Sequence, residues 1–209
     1  MQGTAVFNQL RDELRAQRWD DHRFYHQSRI NQSLHFISAL SFLASYALLP
    51  SYPALAALLA WGVAMTTRQS GHFFFEPKGF DHANQVTHEY KEDVKVGYNL
   101  KRKVVLMGLW AASPLALWAD PTLMGVFTTP ANSMQWLENL GLVWLVLGVV
   151  GVFFRVFQLW VKDSLRVGLI WAFKIVTDPL YDAKLYYQAP WFLLRGQLID
   201  PTIGRHSAT

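Results

Sequence analysis

From Ile30 to Thr67 the chain contains no Asp, Glu, Lys or Arg. A run of this length is enough for two bilayer crossings at about 20 residues each. Pro50, Ser51, Tyr52 and Pro53 divide it. Proline removes a backbone donor and disfavours helix in the residue before it, so the run predicts a tight helical hairpin with spans near 33–49 and 53–72. Two further uncharged runs, Val104–Ala119 and Asn139–Phe154, reach the length of a span only with flanks in which Lys103 and Arg155 extend to the headgroups.

The alternative is a soluble bundle of four buried helices, and the distribution of positive charge argues against it. All 19 Lys and Arg fall in three segments: five up to Arg29, seven from Arg68 to Lys103 and seven from Arg155 onward. Because Lys and Arg accumulate on the cytoplasmic side, the expectation is an all-α polytopic membrane protein with four transmembrane helices and both termini cytoplasmic. A bacterial inner membrane is the expected location, with the endoplasmic reticulum as the alternative. A basic face beside anionic lipid accounts for the net charge of +4 without nucleic acid. The first 29 residues are polar and resemble no cleavable leader, so the first span is expected to target the chain.

The expected organisation is one membrane domain over residues 1–209. It comprises an N-terminal surface helix (1–32) with Val6, Leu10, Leu14 and Trp19 apolar, the hairpin (33–72), and a histidine-containing cytoplasmic segment (76–103). Spans three and four (104–160) and an interfacial C-terminal region (161–209) complete it. In the last region the apolar stretches are short and interrupted by Lys174, Asp178, Pro179, Pro190 and Arg195, which suits interfacial or re-entrant segments better than a span.

The chain has no cysteine, so any metal must sit on nitrogen and oxygen. It has seven histidines: 22, 26, 35, 72, 82, 88 and 206. His35 opens the first span and His72 closes the second, and ionisable groups at membrane depth are costly and usually functional. In one continuous helix His26 and His35 would point to opposite faces, at about 100° per residue. A shared site therefore requires a break, for which Asn31 is the expected N-cap. On the other wall His72 and Glu76 lie four apart on one face. His26, His35, His72 and Glu76 thus form a candidate cluster of nitrogen and carboxylate donors. Such a set suits non-haem iron, with manganese and zinc as alternatives. His22 reads either as a ligand or as the solvated side of the first helix, and His82 either as a ligand or as a polar loop residue. His88, beside Glu89 and Glu92, is expected to join the site, with those carboxylates orienting its ring. His206 is expected to have no role.

The stretch YHQSRINQSLHFI, read as HxxxxNxxxH from His26 through Asn31 to His35, followed by SGHFFFE, resembles the 2-hydroxy fatty acid dioxygenases, which are named for converting phytosphingosine to odd-numbered fatty acids. The resemblance covers residues 24–78. It implies a multi-span protein and iron(II)-dependent, oxygen-consuming removal of one carbon from a 2-hydroxy fatty acid. His26, His35 and His72 match the family's histidines, and Asn31 and Glu76 its flanking polar positions. The implied substrate would chelate one iron ion through carboxylate and hydroxyl, leaving a position for O2, while Arg68 or Lys78 neutralises the carboxylate. Past Glu76 the sequence departs from the family. A di-iron lipid hydroxylase is the nearest alternative, although only His22 with His26 fits the histidine boxes of that group. A non-catalytic lipid-binding or assembly protein is the alternative from a different class.

Overall fold

The computed structural model describes the backbone of residues 2–76, 79–82, 84–94 and 100–201, and the side chains of these except 2–7, 20, 21, 92, 94 and 100–103. The described chain is all-helical, and only two isolated β-bridges, Ser28 with Ile199 and Asp81 with Val86, interrupt that character. Lys78 and His206 lie outside the described residues.

Helix α1 (Gln2–Tyr25) ends where the chain bends, and α2 (Arg29–Leu48) begins after three intervening residues. The break between His26 and His35 is therefore present, but its cap is Ser28 and not Asn31. The Ser28 hydroxyl accepts from the Asn31 N–H at 3.5 Å. Asn31 instead sits inside the first turn and donates its side-chain amide to the Tyr25 carbonyl at 3.0 Å, tying the end of α1 to the start of α2. The bend is also held by the C-terminal strap: Arg29 donates its N–H to Leu198 (2.8 Å) and Asp200 donates its N–H to Gln27 (2.9 Å). The Arg29 guanidinium pairs with Asp200 at 2.9 Å.

The turn at Pro50–Tyr52 leads into α3 (Pro53–Leu59), with proline at the first helical position where its missing N–H costs nothing. A π-helical stretch, Ala60–Met65, joins it to α4 (Thr66–Phe74). Such wide turns inside helices recur beside functional sites. Here the stretch separates a face that buries Trp61 from one that buries Gln69 and His72.

Between α4 and the next apolar helix lies the short helix α5 (His88–Val94). The Asp81 loop before it is anchored by the Asp81–Lys91 ion pair at 3.2 Å, with both side chains buried. The buried pair also explains why the helix forms here: the Lys91 ammonium reaches the Phe24 carbonyl at the end of α1.

Helix α6 (Leu100–Ala119) and α7 (Ser133–Lys162) pack with α3 around Trp61, Trp110 and Trp144. The Trp61 and Trp110 rings stack at 6.2 Å. The Trp61 indole donates to the Trp144 carbonyl (2.8 Å) and the Trp144 indole to the Ser113 hydroxyl (2.8 Å), so the buried N–H groups of these two rings are both satisfied. Gly141 lies against the Ala54 backbone and Gly148 against Trp61, so α7 runs in the same direction as α3. A side-chain carbon at Gly141 would stand 2.4 Å from the Ala54 carbonyl oxygen.

In the C-terminal region Lys174, Asp178 and Pro179, which interrupt the apolar stretches, lie inside one continuous helix of 22 residues, α8 (Leu165–Tyr186), followed by the short α9 (Ala189–Leu194). Its charges are tolerated because they are paired. Lys174 bonds Asp178 at 3.1 Å, one helical turn away. Helix α8 packs against α2 and α7, which brings its polar stripe to the histidines.

Candidate metal centre

Three helices present ladders at four-residue spacing, so that each ladder lies on one helical face. They are Arg18, His22 and His26 from α1 and the turn after it; Arg68, His72 and Glu76 from α4 and its end; and Lys174, Asp178, Asp182 and Tyr186 from α8. Helix α2 adds Asn31 and His35 at the same spacing.

His26, His35 and His72 converge. All three are buried, and one nitrogen from each lies within 4.8 Å of the others. The ring centroids of His26 and His35 are 4.1 Å apart, those of His35 and His72 4.8 Å, and those of His26 and His72 5.5 Å. A metal with bonds of about 2.1 Å holds neighbouring nitrogens about 3 to 4 Å apart, so small ring rotations fit an ion to this set.

Each Nδ1 meets a polar partner. That of His72 contacts the Glu76 carboxylate. That of His35 lies 3.6 Å from Asp182, and that of His26 lies 2.8 Å from the Tyr186 hydroxyl and 3.0 Å from His22 Nδ1. Carboxylates and hydroxyls at one ring nitrogen fix the tautomer and aim the other nitrogen at a metal. In this arrangement Nε2 is the donor that each ring offers.

His22 is buried beside the triad. Its Nδ1 contacts the Tyr186 hydroxyl, and its Nε2 stands 3.7 Å from Asp182. It is the partner of His26 and lies outside the group of three. Asn31 is fully buried, with its Oδ1 against Gly71. A Cβ at position 71 would stand 2.1 Å from that oxygen, which the Tyr25 hydrogen bond keeps from swinging away. Gly71→Ala is therefore expected to lower stability by about 1–3 kcal/mol through overpacking. Chemical denaturation should show the loss, and it should shrink in the Asn31→Ala background if this contact is its cause.

Asp182, only 1% exposed, joins the site to a buried ion network. It accepts from Arg68 at 2.7 Å. Asp178 takes Arg18 at 3.1 Å and Lys174 at 3.1 Å. Among the described residues three cations (Arg18, Arg68, Lys174) thus stand with three carboxylates (Glu76, Asp178, Asp182) around the triad. Burial of unbalanced charge would be far more costly. Arg68, expected to neutralise a substrate carboxylate, has its charge answered by Asp182.

His82 and His88 are not brought to the triad. His82 is exposed, with its ring on Phe80. His88 opens α5 and lies outside the group of three. A hydrogen bond from the Glu89 backbone N–H, then one from the Thr87 hydroxyl, hold the Glu89 carboxyl below its usual range. The Glu92 side chain is outside the described residues. Asp178, Asp182 and Tyr186 were missed in the sequence because the region read as short apolar stretches interrupted by Lys174, Asp178 and Pro179. The four-residue spacing from Lys174 to Tyr186 was the available signal.

No protein-family model, curated protein or solved structure matches this chain. The resemblance to the 2-hydroxy fatty acid dioxygenases rests on the motif residues alone.

Proposed function

We propose that the chain is a membrane-embedded non-haem iron oxygenase acting on a fatty acyl substrate, in the manner of a 2-hydroxy fatty acid dioxygenase. The observation that carries this reading is the buried trio His26, His35 and His72, with a polar group facing the Nδ1 of each ring, in contact at His26 and His72 and at 3.6 Å at His35. An all-nitrogen face with further positions open suits iron(II) that activates oxygen. Iron(II) held there would supply one-electron chemistry toward O2, while the 2-hydroxy acid itself would provide the four electrons that reduce it. The chain's residues do the rest: three imidazoles bind, Glu76 and Asp182 orient them, and the buried surroundings exclude water.

The membrane setting is part of the proposal. Helix α7 is long and apolar enough to cross a bilayer, with mean hydropathy 2.3 over its most apolar stretch. Only 17% of that stretch is buried, whereas the core helix of a soluble protein is mostly buried. Val146, Val149, Val150, Phe153 and Phe154 face outward, as do Val104, Val105 and Leu109 on α6. Exposed apolar area of this extent suits lipid as its solvent. We assign spans to α2, α3 with α4, α6 and α7, and place the triad near the cytoplasmic surface. A reporter fused after Thr128 is expected on the opposite side of the membrane from both termini; a cytoplasmic reporter there overturns the four-span arrangement. Oxygen uptake by protein reconstituted with iron(II), given a 2-hydroxy fatty acid, tests the chemistry. Uptake in step with loss of one carbon supports the reading, and none with any chain length refutes it.

A further inference from the structure

The three histidines of the centre are not held alike. His35 and His72 lie inside α2 and α4, whose helical hydrogen bonds fix their backbones. His26 lies in the bend between α1 and α2. Its N–H reaches the His22 carbonyl at 3.3 Å, against about 2.9 Å in an ordinary bond of this kind. Tyr186 faces its ring at 2.8 Å, but the backbone that carries the ring needs support of its own.

Carbonyls at a helix end have no partner within the helix. At the end of α1 three in succession find one elsewhere. The Asn31 side-chain amide donates to Tyr25 at 3.0 Å, the Gln32 side-chain amide to His26 at 2.8 Å, and the Asp200 N–H to Gln27 at 2.9 Å. Gln32 is fully buried and its amide is used up. Nε2 gives its other hydrogen to the Asp200 carboxylate at 2.9 Å, and Oε1 accepts from the Arg29 guanidinium at 2.8 Å. With a carbonyl and a carboxylate on one side and a cation on the other, only this orientation of the amide is favourable. The same Asp200 oxygen pairs with Arg29 at 2.9 Å, so one carboxylate fixes both ends of the arrangement. Gly196, at φ 82°, turns the chain back after α9 and lets Ile199 bridge Ser28 beside the bend.

We infer that the segment from Gly196 to Asp200 is a clasp that places His26, with Asp200 and Gln32 as positioning residues. Asp200 orients the Gln32 amide, the amide holds the His26 carbonyl, and the imidazole is thereby kept within reach of His35 and His72. The inference rests on the metal-centre reading for its purpose. Asp200 lies outside residues 24–78, the stretch that carries the family resemblance.

The test uses the full-length protein in nanodiscs with iron(II) alone as the probe. Affinity is read anaerobically by chelator competition, beside amide hydrogen exchange of the metal-free protein. Asp200→Ala and Gln32→Met should each weaken iron binding by about tenfold, the low end for a residue that acts on a ligand from outside. Both should speed exchange across residues 26–32 while α4 keeps the wild-type rate. Asp200→Asn keeps an acceptor oxygen for Gln32 and Arg29 and should retain most of the affinity. Because the clasp acts through His26, adding Asp200→Ala to His26→Ala should cost no further affinity. An equal loss in both backgrounds, exchange that quickens throughout the helices, or unchanged affinity in Asp200→Ala overturns the assignment. Wild-type protein that binds no iron removes the metal centre, and exchange then decides the clasp by itself: quickening confined to the bend in Asp200→Ala upholds it, and none refutes it.

Discussion

His35→Ala and His72→Ala are each expected to abolish retention of iron through purification while the protein still inserts and folds. The two rings come from antiparallel helices of one hairpin and lie 4.8 Å apart, so neither can substitute for the other. Loss of even an orienting partner commonly costs 10–100-fold in metal affinity, and loss of a ligand should cost more. Oxygen uptake should fall with the metal. His206→Ala is the control and should change neither quantity. Full iron content in either His35→Ala or His72→Ala takes that residue out of the site.

Asp182→Asn should produce the next largest effect, by two routes that an experiment separates. The carboxylate faces His35, His22 and Arg68 at once. Removing its charge takes the 2.7 Å partner from the largely buried Arg68 guanidinium, which then faces Asp178 at 4.0 Å. Breaking a buried pair from one side costs about 3–5 kcal/mol, and the residual exposure of Arg68 places this case toward the lower end. The second route is loss of orientation at His35, expected to weaken iron binding by about 10–100-fold. A double variant, Asp182→Leu with Arg68→Met, removes both charges and should regain most of the stability but none of the iron affinity. Recovery of both would make Asp182 purely structural.

The helices around the site were legible because their signals are local. An uncharged run broken by Pro50 and Pro53 reads as two helices, and a third helix follows from Val104. The need for a bend between His26 and His35 was also legible, since helical geometry forbids them one face in a continuous helix. Its cap was misplaced by three residues because Asn31 and Ser28 both have capping chemistry, and only the contact with Tyr25 decides between them. Helix α8 was hidden for a different reason. Lys174, Asp178 and Pro179 look like interruptions when the neighbours that compensate their charge, Arg18 at 160 residues' separation and Arg68, are unknown. For His88, adjacency to Glu89 was no guide to the site: Glu89 is bonded by its own backbone N–H and by Thr87, and His88 lies outside the group of three.

The most direct test of the central claim is the iron-to-protein ratio of the wild type, purified without chelator after anaerobic iron(II) loading, beside that of His88→Ala. A single centre on His26, His35 and His72 predicts a ratio near one in both. A ratio near two that falls in His88→Ala would contradict it in favour of a di-iron centre reaching α5, and a ratio near zero in the wild type would contradict it in favour of a helical scaffold that holds no metal.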